Sequence, residues 1–193
     1  MNQTFKSKHQ SALTTSGILT SNRIPKDYFI TKGKGESDIT VHAGSYHLAL
    51  KDAGIEMYNI MTYSSILPKI ANRVERPAKT THGAVMESIM AVANAPRGKL
   101  ATAGIIYGWL HNKITGEKYG GLVCEYNGNL PEKEAGEQLK ESLSELYTNG
   151  YSDDYELKDM MLISESMVPK KKFGTVIVSL CFTTYLFPIV ERH

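Results

Sequence analysis

Residues 173–187, FGTVIVSLCFTTYLF, run for fifteen positions without a charged side chain. Such a run falls short of the roughly 20 residues that a membrane-crossing helix needs. Its Val, Ile, Thr and aromatic residues favour an extended strand. A strand apolar on both faces has to be covered on both, so it belongs inside a layered structure.

The other segments supply the layers. KDYFITKG (26–33) reads as a short strand closed by the glycine-rich GKGESD. GSYHLALKDAG (44–54) reads as a helix, with Tyr46, Leu50 and Ala53 at helical spacing and Gly54 as its stop. EMYNIMTY (56–63) is a strand and ANRVERPAKTTHG (71–83) a polar surface loop. GAVMESIMAVA (83–93) fits helix or strand equally. LATAGIIYGWL (100–110), a hairpin turn over 111–121 and LVCEYNG (122–128) follow as paired strands. PEKEAGEQLKESLSELYTNG (131–150) is the clearest helix: Pro131 opens it, glutamates crowd its first turn, and Gly150 ends it. Its expected apolar face is Leu139, Leu143 and Leu146. ELKDMMLISESMV (156–168) is another strand. Two helices and about seven strands joined by short turns make an α+β sandwich.

At 193 residues, 41% hydrophobic and 22% charged, the chain has the make-up of one soluble globular domain, over 25–193, behind a poorly ordered polar tail, 1–24. The tail lacks the apolar core of a secretory signal; its Ser, Thr and missing acids leave a transit peptide as the alternative. A net charge of +2 gives no basis for nucleic-acid binding, and Lys170–Lys172 reads as a solvated turn. Cys124 and Cys181 each lie in an apolar run, as free thiols do in a reducing cytoplasm. No segment suits a membrane, no His or Cys spacing suits a metal, and GKGESD opens no phosphate-binding turn.

Three features carry chemistry. The strand over 56–63 ends in Ser64-Ser65 and then Ile66-Leu67-Pro68, where Gly, Asn or Asp would be the usual close. With fifteen serines, about one such dipeptide arises by chance, so the pair alone decides nothing. Glu125 lies in an otherwise apolar strand, and Asn59 in another, five residues before Ser64. Strand alternation can place Glu125 on the solvent face, and Asn59 can mark a bulge. A buried carboxyl would instead have a raised pKa and serve as a general acid.

Taken in order, GSYHLALKDAGIEMYNIMTYSSILP, HGAVMESIMA and GGLVCEYNG resemble the pyruvoyl-dependent arginine decarboxylases, from roughly Phe29 to Leu186. The most specific part is Asn59, then Ser64-Ser65 and Ile-Leu-Pro, with a Glu-Tyr-x-Gly downstream. The resemblance implies that the chain cuts itself between Ser64 and Ser65, into 1–64 and 65–193. Ser65 Oγ would attack the Ser64 carbonyl, turning the amide into an ester. Elimination would free the Ser64 carboxylate and leave dehydroalanine, which hydrolyses to a covalent pyruvoyl group at Ser65. That ketone would take the α-amine of L-arginine as a Schiff base and accept the electrons released with carbon dioxide, giving agmatine.

The resemblance further implies that Glu125 returns the proton to the α-carbon and that Asn59 hydrogen-bonds near the pyruvoyl group. It implies a four-layer αββα sandwich and a homotrimer with active sites between neighbouring subunits. One position departs from the pattern: His47 stands where arginine-specific members tend to carry an acid. Such an acid grips a guanidinium by a bidentate pair. Neutral imidazole can accept one hydrogen bond and imidazolium repels arginine, while Glu56 nearby can supply the missing charge. His47 can equally be a plain surface residue of its helix. The reading is therefore a self-processing decarboxylase of arginine, serving polyamine synthesis or acid resistance. Two alternatives stand beside it, the same chemistry on another amino acid and an uncleaved, non-catalytic trimer.

Overall fold

The computed structural model describes residues 21–79 and 81–189. Most of the expected tail, residues 1–20, lies outside the described residues. Among them are eleven strands, β1 (Ile24–Pro25), β2 (Asp27–Ser37), β3 (Asn59–Thr62), β4 (Ile66–Pro68), β5 (Asn72–Arg73), β6 (Val85–Pro96), β7 (Ala101–Asn112), β8 (Lys118–Gly128), β9 (Tyr155–Met167), β10 (Phe173–Phe182) and β11 (Tyr185–Leu186). Seven of these have four residues or more. The helices are α1 (His47–Asp52), entered through a π-helical turn at Val41–Tyr46, and α2 (Glu132–Gly150). The fold is α+β and mostly sheet.

One sheet has the order β3-β6-β10-β2-β5, the other β4-β8-β7-β9, and β1 pairs with β11 as a separate ribbon. Between the two sheets lies an apolar cluster that includes Ile89, Val178, Leu180, Ile105 and Val123. A second cluster joins α1 to the five-stranded sheet through Ala49, Leu50, Ile55 and Ile177. A third joins α2 to the four-stranded sheet through Leu139, Leu143, Ile106 and Leu122.

Several elements differ from the sequence expectation. The ambiguous run after Gly83 is strand: β6 has both faces covered, the inter-sheet cluster on one and the α1 cluster on the other. Its apolar residues are therefore almost continuous, and no period separates helix from strand. The glycines of GKGESD do not close β2, which continues to Ser37. They let α1 lie on the sheet: a Cβ on Gly33 would collide with the Ala49 carbonyl, and one on Gly35 with the Ser45 carbonyl. Leu146 is 38% exposed, because the buried line of α2 is Ala135, Leu139 and Leu143 at four-residue spacing. The long C-terminal run breaks after Phe182, where the Thr183 amide donates to the Asp27 carbonyl and the Thr184 hydroxyl to the Asp27 carboxylate. Gly54 does stop α1 as expected, with φ of 68°.

Candidate active site

The chain crosses from one sheet to the other between β3 and β4. Tyr63, the residue after β3, donates its amide to the Ser88 carbonyl of β6 at 2.7 Å. Ser65, the residue before β4, accepts at its carbonyl from the Val123 amide of β8 at 3.0 Å. The Ser64–Ser65 peptide is thus the step between two anchored residues. Ser64 is exposed, and its carbonyl accepts from the Ile66 amide at 2.9 Å. That i to i+2 bond makes an inverse γ-turn centred on Ser65, whose φ is not positive.

Glu125 does not face solvent. In the β7–β8 pairing it lies opposite Ile105, a member of the inter-sheet cluster, and antiparallel partners share a face. Its carboxylate therefore enters the rim between the sheets. The Ser65 hydroxyl donates to it, with Oγ 2.9 Å from both Oε1 and Oε2. Burial pushes the Glu125 pKa up, and the hydrogen bond from Ser65 offsets part of that rise.

The other expected site residues stay apart in the single chain. Asn59 is exposed at the start of β3, its amide Nδ2 donating to the Gly83 carbonyl at 2.8 Å. Five residues, 60–64, separate it from Ser65 along the chain, and its side chain makes no hydrogen bond to Ser65 or Glu125. His47 is exposed at the first residue of α1, and Glu56 is half-buried in the turn before β3. Neither hydrogen-bonds Ser65 or Glu125 among the described residues.

Sequence reasoning missed Glu87. It is 2% exposed, accepts from the Tyr63 hydroxyl, and pairs with Arg23, whose Nε lies 3.2 Å from Oε2. Its signal was the one that singled out Glu125, a lone carboxyl in an apolar run. Arg23, Tyr63, Ser64 and Ile66 also line a surface pocket of about 320 Å³ with the β1 ribbon.

These features define an α+β protein with a serine hydroxyl held on a half-buried carboxylate at the crossing between two sheets. A family model for pyruvoyl-dependent arginine decarboxylases matches residues 27–187, and the chain belongs to that family. A Chlamydia muridarum protein named pyruvoyl-dependent arginine decarboxylase AaxB is 32% identical over 187 residues, covering 84% of this chain and 93% of the relative. A Chlamydia pneumoniae protein of the same name is 34% identical over 185 residues, with the same two coverages. A Methanococcoides burtonii protein named pyruvoyl-dependent arginine decarboxylase is 40% identical over 88 residues, 42% of this chain and 46% of the relative. The match thus spans just under half the length of that archaeal relative.

Proposed function

We propose that this chain cleaves itself between Ser64 and Ser65, converts Ser65 into a covalent pyruvoyl group, and decarboxylates L-arginine to agmatine. The observation that carries the reading is the Ser65 hydroxyl, 2.9 Å from both oxygens of Glu125, beside a carbonyl already polarised by the Ile66 amide. Glu125 orients Oγ and can take its proton, and the Ile66 amide can hold the charge that develops on the Ser64 oxygen. Oγ then bonds the Ser64 carbonyl carbon as the C–N bond breaks, and the proton passes to the departing nitrogen. Loss of the Ser65 α-proton with cleavage of the Ser65 Cβ–Oγ bond releases the Ser64 carboxylate and leaves dehydroalanine, and water replaces the nitrogen as ammonia leaves.

A pyruvoyl group supplies a ketone for the substrate amine and an adjacent carbonyl that draws in the electrons freed with carbon dioxide. Ser65 is well placed to become that group, since β4 and the Val123 amide hold it in the rim whether or not the bond before it is intact. Glu125 changes role with the conversion. Once the serine hydroxyl is gone, burial acts on the carboxyl without its main offset, so it holds a proton more readily. The same group then suits proton return to the α-carbon.

The three apolar clusters fit the interfaces of a four-layer αββα sandwich. Asn59 is engaged by the Gly83 carbonyl and makes no hydrogen bond to Ser65 within one subunit, which supports a homotrimer in which Asn59, His47 and Glu56 face the Ser65 of a neighbour. Among the described residues no helix is long and apolar enough to cross a membrane. The free thiols, Cys124 and Cys181, suit the reducing cytoplasm. His47 favours a second reading, the same reaction on another amino acid.

A denaturing gel with intact-mass analysis tests the proposal. Purified protein should give fragments 1–64 and 65–193, the larger blocked at its N-terminus, and Ser65→Ala should give one chain. Cleavage at that bond in Ser65→Ala, or an intact wild-type chain, overturns it.

A further inference from the structure

The carboxylate of Glu87 is the buried charged group that the reaction just described leaves idle. It extends from β6 on the face that also carries Ile89 and Ala91, at the rim of the inter-sheet cluster. Its side chain is 3% exposed. Burying a carboxylate costs several kcal/mol unless good partners surround it, and an apolar residue of similar size is often no less stable. Stability therefore gives little reason for Glu87, and what it holds has to supply the reason.

It holds Tyr63, the residue before Ser64. The Tyr63 hydroxyl donates to Glu87 Oε2, and Arg23 Nε donates to the same oxygen at 3.2 Å. Arg23 also lies over the Tyr185 ring, 5.8 Å from its centroid, so the β1–β11 ribbon closes over the carboxylate. The Tyr63 ring packs against Phe182 at 5.6 Å, and its amide is fixed on the Ser88 carbonyl. Residue 63 is therefore held by its main chain, its ring and its hydroxyl together. On the far side of the scissile peptide, Ser65 is held by Val123 and Glu125.

We propose that Glu87, with Tyr63 and Arg23, is a positioning set for self-cleavage: it clamps the acyl side of the Ser64–Ser65 bond while Glu125 and Val123 clamp the nucleophile side. The inference rests on the self-cleavage reading above. An attack by Oγ on the preceding carbonyl depends on alignment, and a displacement of about 1 Å can cost on the order of 10²-fold in rate. Ser64 itself is exposed and ties its carbonyl only to Ile66, so its orientation is inherited from its neighbours. The set contributes no atom to the ester or to the elimination.

The test follows cleavage of the full chain from its synthesis in cell-free translation, by gel, for wild type, Tyr63→Phe, Glu87→Gln and the double variant Arg23→Gln/Glu87→Gln. Tyr63→Phe keeps the ring and removes only the hydroxyl. Cleavage should slow at least roughly tenfold in Tyr63→Phe. Melting temperatures, measured on Ser65→Ala so that all remain uncleaved, should fall by only a few degrees in Tyr63→Phe, which leaves the Arg23–Glu87 pair in place, and by more in Glu87→Gln, so that the slowing of cleavage does not follow the loss of stability across the variants. Hydroxylamine, which cuts an accumulated ester, should not restore cleavage, because the defect lies before the ester. Wild-type rates in both Tyr63→Phe and Glu87→Gln overturn the inference, as does a slowing that follows the fall in melting temperature across the variants, which marks a structural role alone. Full rescue by hydroxylamine overturns it too, by placing the defect at elimination. A wild-type chain that stays intact removes the self-cleavage reading itself, before any variant is compared.

Discussion

The Ser65 hydroxyl and the Glu125 carboxylate, sixty residues apart in sequence, meet at 2.9 Å on both carboxylate oxygens. Oγ therefore sits between the two oxygens, and the contact fixes the direction of its proton as well as its position. The pair stands at the crossing of the two sheets, so the backbone pairings β3–β6 and β4–β8 fix the position of the Ser64–Ser65 peptide.

Glu125→Gln should impair both stages of the proposed reaction. Gln still accepts a hydrogen bond but is a far weaker proton acceptor and donor. Cleavage should slow, and the fraction that does cleave should turn over on the order of 10²-fold more slowly or worse. Gel time courses with carbon dioxide release per pyruvoyl group separate the two effects. Wild-type cleavage with wild-type turnover would remove Glu125 from the mechanism.

The Glu125 titration should respond to Ser65. Burial raises its pKa and the Ser65 hydroxyl lowers it, so Ser65→Ala should raise it further. The sign for stability follows from a folded pKa above the unfolded one. Glu125 stabilises the fold at pH below the unfolded value, and that contribution is lost as pH rises through the folded value. In Ser65→Ala the loss should extend to higher pH. Carbon-13 NMR of labelled glutamate, compared between the Ser65→Ala chain and the wild-type precursor caught before cleavage, reads the shift. An unchanged or lowered value would mean the hydroxyl does not stabilise the carboxylate.

Cleavage should not separate the fragments. β2, from the first fragment, lies between β10 and β5 of the second and makes ten register pairs with β10 alone. β1 is paired with β11 and β3 with β6 in the same way. Native gel filtration of cleaved protein should give one species containing both pieces, and urea should release them. Free 1–64 fragment under native conditions would contradict this interlacing.

The strand and helix content of this fold was legible where one face was apolar, as in α2, or where a β-rich run was long, as in β10. What escaped the sequence was contact between distant segments. Gly33 and Gly35 resemble loop residues until α1 is laid across them. Glu87 hides in β6 because a strand covered on both faces loses its period. The Ser65–Glu125 pairing became visible only when β4 and β8 were placed edge to edge. Family resemblance marked both residues, but not that they touch.

Gly35→Ala tests the close seating of α1. The added Cβ would meet Ser45 and Ala49 main-chain atoms and come within 2.7 Å of Leu48 Cβ. Backbone cannot give way as a side-chain tip does, so the cost should reach at least the roughly 1–3 kcal/mol of ordinary overpacking. Urea unfolding on the Ser65→Ala background measures it without interference from cleavage. A stability equal to the parent would show that α1 is free to move off the sheet.

Substrate choice depends on which group meets the far end of the amino acid. A guanidinium stays charged at any working pH and needs a fixed negative charge or several carbonyls. Within one subunit Glu87 is taken up by Tyr63 and Arg23, and Glu125, once the Ser65 hydroxyl is converted, holds a proton more readily and serves the α-carbon, so neither offers a fixed charge to receive it. Glu56 is half-buried three residues before Asn59, on the segment that a trimer would bring to a neighbour's Ser65. If Glu56 replaces the family's acid, Glu56→Gln should raise KM for arginine about tenfold or more while leaving kcat within a few-fold, because the contact is the same in ground and transition states. His47→Asp should then preserve or improve arginine turnover. Carbon dioxide release from arginine, lysine, ornithine, histidine, aspartate and glutamate gives the ranking directly. Arginine first, with the Glu56→Gln effect confined to KM, supports the assignment. Another amino acid ahead of arginine, with His47→Asp abolishing its turnover, would move the substrate to one that His47 accepts and leave the chemistry at Ser65 untouched.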